Sequence, residues 1–120
     1  MAITQAMCTS FKSEVLQEGH QLATDTIKIA LYTSSASLDA TTTAYSSSNE
    51  VSGTGYTATG VTLTSTAVST TGTTAHFDAD DPTWTSASFT ARGALIYNSS
   101  NSNKAIAVLN FGGDFTVAGG

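Results

Sequence analysis

Charge is what this sequence has least of. Charged side chains make up 11% of its 120 residues, where a soluble domain usually carries about 25%. Its permanent cations are Lys12, Lys28, Arg92 and Lys104, scattered along a chain of net charge −5. Gripping phosphates takes clustered Lys and Arg, so nucleic acid is excluded as a partner, and an anionic membrane surface with it. No apolar run approaches the roughly 20 residues that cross a bilayer. The start "MAITQAMCTSFK" lacks the basic opening and apolar stretch of a signal peptide, which predicts a chain made in the cytoplasm and not exported by the usual route. A single cysteine, Cys8, leaves no partner for an internal disulfide, so packing alone must hold the fold.

What is present in quantity is hydroxyl. Ser and Thr supply about a third of the chain, and threonine is β-branched and suits a half-wet pleated surface. Five Phe, four Tyr and one Trp, in a chain 40% hydrophobic, give it enough apolar surface to fold. The length suits one domain spanning residues 1–120, with a single core.

The periodicity predicts one helix and then strands. Thr4 reads as an N-cap, with helix over about 5–18 and Gly19 ending it. Met7, Phe11 and Val15 recur every fourth residue and form one apolar stripe, which packs on the domain's own core or reaches a neighbouring subunit. From about residue 25 the period drops to two. In "TIKIALYT" Ile27, Ile29 and Leu31 alternate with Lys28, Ala30 and Tyr32, a strand with one dry face. The long hydroxyl-rich stretch that follows should hold short irregular pairing near Tyr45 or Tyr56 and offer surface to a partner.

"GVTLTSTAV", "TTAHFDAD", "TWTSASFTARGALIYN" and "NKAIAVLNFGG" read as further strands, the last buried on both faces. Asp81-Pro82 breaks the ladder, "SSNSN" (99–103) forms a hairpin loop, and "DFTVAGG" begins one more strand. The fold class is therefore mainly β: an antiparallel β-sandwich or partly open barrel with one N-terminal amphipathic helix.

The sequence offers little chemistry. His20 and His76 sit in no metal-ligand spacing, and Asp78, Asp80 and Asp81 lack the glycine turn and distal Glu of a calcium loop. Serine is abundant, but no G-x-S-x-G elbow presents one as a nucleophile. Cys8, one turn into the predicted helix, reads as a small buried residue. No catalytic residue, cofactor or metal site is predicted. A glycan-binding alternative would place Trp84, Tyr45 and Tyr56 as stacking faces beside the Ser/Thr-rich loops.

As a whole the chain resembles a family of small virion structural proteins of tailed bacteriophages. The resemblance is carried by "MAITQAMCTSFKSEVLQEGH", by "DTIKIALYTSSASLDATTTAYSSSNEVSGTGYTATGVTL", and by "DPTWTSASFTARGALIYN" with "NKAIAVLNFGGDFTV". It implies a non-enzymatic protein, assembled in the host cytoplasm into the virion, with copies of itself and the major capsid or tail protein as partners. Capsid decoration, or cementing, is the leading role, and a tail, baseplate or fibre component the alternative. Such proteins continue past a "D-x-T-V-x-x-G" segment into another apolar strand; either this chain also continues beyond Gly120, or it is a short member whose open sheet edge a neighbour's strand would complete.

The single arginine lies in "FTARGALIYN". Strict alternation places Phe89, Ala91, Gly93, Leu95 and Tyr97 on one face and Arg92 on the other. Buried arginine needs an anionic partner, which predicts pairing with Asp78, Asp114 or a second subunit.

Overall fold

The structure, a computed structural model, describes residues 3–17, 22, 25–64, 66–79, 84 and 87–118, without the side chains of 74–76, 78, 117 and 118. Its elements are β1 (Ala6–Met7), α1 (Thr9–Leu16), β2 (Ile27–Tyr32), β3 (Val61–Thr62), β4 (Ala67–Thr71), β5 (Thr74–Asp78), β6 (Ser88–Asn98) and β7 (Lys104–Ala118). Five of the strands form an antiparallel sheet in the order β1-β7-β6-β2-β3, and β4 and β5 pair as a separate hairpin. The protein is mainly β with one short N-terminal helix, and the sheet is open rather than a closed barrel.

The helix starts later than its apolar stripe predicts. Ala6 and Met7 pair with Val108 and Ala107 of β7, and that tertiary ladder overrides local helix propensity. Cys8 is the extended N-cap residue, at φ −65° and ψ 135°. Met7 thus leaves the helix, and the stripe of Met7, Phe11 and Val15 comes from two elements. Phe11 is buried, whereas Val15 and Leu16 are exposed. The helix's end at Gln17 is described; Gly19, its predicted stop, lies outside the described residues, as do His20, Asp80, Asp81 and Pro82. An ion pair from Lys104 to Glu14 at 3.8 Å ties α1 to the sheet.

β2 is dry on both faces, not one. Ile27, Ala30 and Tyr32 enter one core with Cys8, Phe11, Leu95, Tyr97 and Val108. Ile29 and Leu31 enter a second with Val51, Ala91 and Ala94. Small Ala30 and the long phenol of Tyr32, read as the wet side, are covered because the sheet carries chain on both sides.

β6 and β7 form the backbone of the sheet, and residues 99–103 link them as predicted. Asn98, fully buried, anchors that link by donating to Asp25 at 2.7 Å and accepting the Ser100 N–H at 3.0 Å. Here the strict alternation fails. Ala91 faces Phe115 while Gly93 faces Asn110, so Arg92 alone stands against residues 111–114. This bulge reverses the phase: Phe89 and Ala91 join the second core, but Leu95 and Tyr97 join the first. Gly93 faces that first core, where a Cβ would stand 2.6 Å from the Leu109 carbonyl oxygen and 2.8 Å from Ile3. "DFTV" is accordingly no separate strand, but β7 resuming beyond its bulge.

Between β2 and β3 the chain wraps the sheet, meeting β7, β2 and β6 in turn. Bridges join Tyr32 to Glu50, Ala44 to Lys104 and Thr54 to Ser88, which is the irregular pairing expected near Tyr45 and Tyr56.

Candidate functional site

The wrapping segment carries one charge between Asp39 and Asp78, the carboxylate of Glu50, and the four tyrosines of the chain gather about it. The Tyr45 hydroxyl donates to Glu50 Oε1 at 2.5 Å. Tyr56 donates a short hydrogen bond to Oε2, which also accepts the Thr59 N–H at 2.9 Å. Tyr97 donates to the Thr59 carbonyl at 2.5 Å, and Tyr32 to the Ser46 carbonyl at 2.7 Å. The Leu31 N–H donates to the Tyr56 oxygen at 3.0 Å. Tyr45 stacks on Tyr97 with centroids 4.8 Å apart, and Tyr56 packs edge-on against Phe89 at 5.8 Å. A carboxylate accepting several hydrogen bonds can be held away from water at tolerable cost, because each bond to a charged group is stronger than a neutral one. The cluster therefore rivets the loop to the sheet edge.

Burial is the first cause that raises all four phenols above their usual pKa, and the Glu50 charge pushes the same way. An acid whose folded pKa is raised favours folding below its unfolded pKa, about 10 for tyrosine, and loses that contribution as pH rises. Alkaline titration above about pH 10 should therefore show tyrosinate absorbance and loss of β-sheet circular dichroism appearing together in one step. Ionisation near the ordinary value with the fold intact would contradict the cluster.

The residues singled out by sequence fall in three places. Tyr45 and Tyr56 belong to the Glu50 cluster, where both rings are half-buried and both hydroxyls donate to the carboxylate. Trp84, half-buried, lines an apolar pocket of about 220 Å³ with Leu31, Phe89, Ala91, Phe111 and Phe115. Met7, Phe11 and Val15 line a larger groove of about 420 Å³ with Leu22, Val68, Phe77, Ile96, Ile106 and Ala107. The stripe was legible, then, as a shared surface although not as a helix face. The cluster itself was missed. Its signal was Glu50, a lone carboxylate in a hydroxyl-rich stretch flanked by tyrosines.

Arg92 lies beside Asp114, one of the partners expected, with Nη1 3.9 Å from Oδ1 and side chains 37% and 51% exposed. At that distance and exposure the pair contributes under about 1 kcal/mol. Its Nε is buried with no acceptor among the described residues. Arg92 stands opposite the four residues 111–114 that bulge out of β7. Cys8 is fully buried, and burial first, then the charges of Asp39 and Glu14, raises its thiol pKa. Among the described residues no three of His, Cys, Asp and Glu converge on a common point, and no helix is long and apolar enough to cross a membrane.

No protein-family model, no curated protein and no solved structure matches the chain.

Proposed function

We propose that this chain is a non-enzymatic, multi-copy structural protein of a phage virion, acting by packing against copies of itself and a capsid protein. The observation that carries this reading is apolar surface left open on a chain poor in charge. Met7 is 52% exposed and Val68 51%, both on the rim of the 420 Å³ groove, and Leu16 beside Val15 is 87% exposed. Exposed apolar side chains scattered singly are ordinary, but three of them, Met7, Val15 and Val68, rimming one apolar groove make the shape of an interaction surface. The whole-length resemblance to small virion proteins points the same way. Low charge suits surfaces that must meet near-identical neighbours without repelling them.

Decoration of the capsid is the leading role, and a tail component the alternative. Quantitative mass spectrometry and cryo-electron microscopy of the particle encoded with this chain separate them. A copy number near that of the major capsid protein is expected. A low multiple of three or six would move the protein to the tail, and its absence from particles would overturn both readings. Met7→Glu, which puts a charge on the groove's rim without touching either core's centre, should reduce incorporation at least about tenfold, equal to 1.4 kcal/mol of lost contact.

A further inference from the structure

Among the described residues, the distal edge of β7 and the outer edge of β4 carry no neighbouring strand. β7 pairs with β6 along its length, yet its other edge meets β1 only at Ala107 and Val108, with Ala44 bridged to Lys104 and the Gln5 side chain accepting the Asn110 N–H at 3.2 Å. Beyond Asn110 no described residue pairs with that edge. The hairpin is the second case. β5 is anchored through Phe77, which packs against the first core, whereas all five residues of β4 are exposed and β4 pairs with β5 alone.

Among the described residues nothing guards either edge. Soluble proteins protect exposed edges with lysine, proline, inward charges or a covering loop, because a row of free N–H and C=O groups templates another strand. Ala67–Thr71 reads "AVSTT" and residues 115–118 read "FTVA": no charge, no proline, and mostly β-branched or aromatic side chains. The charge that does lie near, Asp114, sits at the start of the distal edge, in the bulge, beside Arg92. A net charge of −5 on each copy opposes association in general, so copies approach most easily through uncharged seams such as these.

We propose that copies of this chain join by strand addition, β4 of one copy pairing along the distal edge of β7 of the next. The committed occupant of the β7 edge is thus a second copy of the chain. Like-with-like pairing would leave the other edge open. The mixed pairing closes both and sets Val68, 51% exposed, against Phe115, 59% exposed, as a cross-strand pair of the favoured β-branched–aromatic kind. Because the two surfaces differ, the contact is head-to-tail and repeats into a ring or a continuous array. The inference rests on the reading of a multi-copy structural protein and names the contact between its copies.

The test uses two full-length variants, Ser69→Cys on β4 and Thr116→Cys on β7, with Cys8 buried and out of reach. A short bismaleimide should cross-link the mixture into a dimer, and neither variant alone. Thr116→Lys carried by every copy should abolish the concentration-dependent association that the wild type shows by sedimentation velocity. Circular dichroism establishes that each variant is folded. A dimer from either cysteine variant alone would overturn the proposal, because an edge would then pair with itself. So would a mixture that yields no cross-linked dimer. Particles that contain the protein, together with a failed cross-link, would reject the seam and keep the virion reading; a cross-linked seam with no protein in particles would do the reverse.

Discussion

Gly60→Ala is expected to destabilise the protein by about 4 kcal/mol, a large fraction of a small domain's total stability. Gly60 holds φ at +89°, and a Cβ built there would stand 2.0 Å from the Ile29 carbonyl oxygen and 2.7 Å from its carbon. Left-handed backbone costs an alanine only about 1–2 kcal/mol. The larger part is collision with the backbone of β2, which cannot move aside without breaking its ladder to β6. Gly72 provides the internal comparison, because its φ is +61° and nothing lies within 4 Å of its Cβ position. Gly72→Ala should therefore cost only about 1 kcal/mol. Urea denaturation of both variants gives the difference, and equal midpoints would refute the close approach.

Glu50→Ala should cost about 3 kcal/mol. The substitution strips the acceptor from two part-buried phenols and from the Thr59 N–H. Water can reach part of the vacated space, so the loss is less than three full charged hydrogen bonds. Glu50→Gln keeps one acceptor oxygen and should fall about midway between wild type and Glu50→Ala. The measurement is again the urea midpoint, read together with tyrosine fluorescence. A cost of Glu50→Ala below about 1 kcal/mol would mean the tyrosines are held by packing alone.

The strands were legible where period two is uninterrupted. Ile27–Tyr32 and the 99–103 link fall where alternation and turn residues place them, whereas "GVTLTSTAV" is not one strand: β3 ends at Thr62 and β4 begins at Ala67. Faces were harder. The bulge at Arg92 inserts residues on β7, not β6, so nothing in "FTARGALIYN" itself announces that Phe89 and Leu95 lie on opposite sides. "FGGD" carried the only hint, through Gly112 at φ +83°, and a glycine pair reads equally well as a turn. The helix start failed for a related reason: Gln5 and Ala6 are fair helix formers, and only the distant β7 decides otherwise. Of the site, the groove residues Met7, Phe11 and Val15 were visible through spacing. The Glu50 cluster was not, because its members come from β2, β6 and the wrapping segment and meet only once the sheet exists.

The sheet order also sets when this protein can fold. β1, near the start of the chain, has its only strand partner in β7, near residue 107, and β2 waits for β6. A nascent chain therefore leaves the ribosome with its first strands unmatched, and the sheet closes only once the last strand has been synthesised. Pairings so remote in sequence close slowly, on the order of milliseconds to seconds for a small β-rich domain. During that interval the apolar strands are open to any neighbouring nascent copy. Wherever copies are synthesised side by side, strands that wait on so remote a partner can meet a neighbour's strands first.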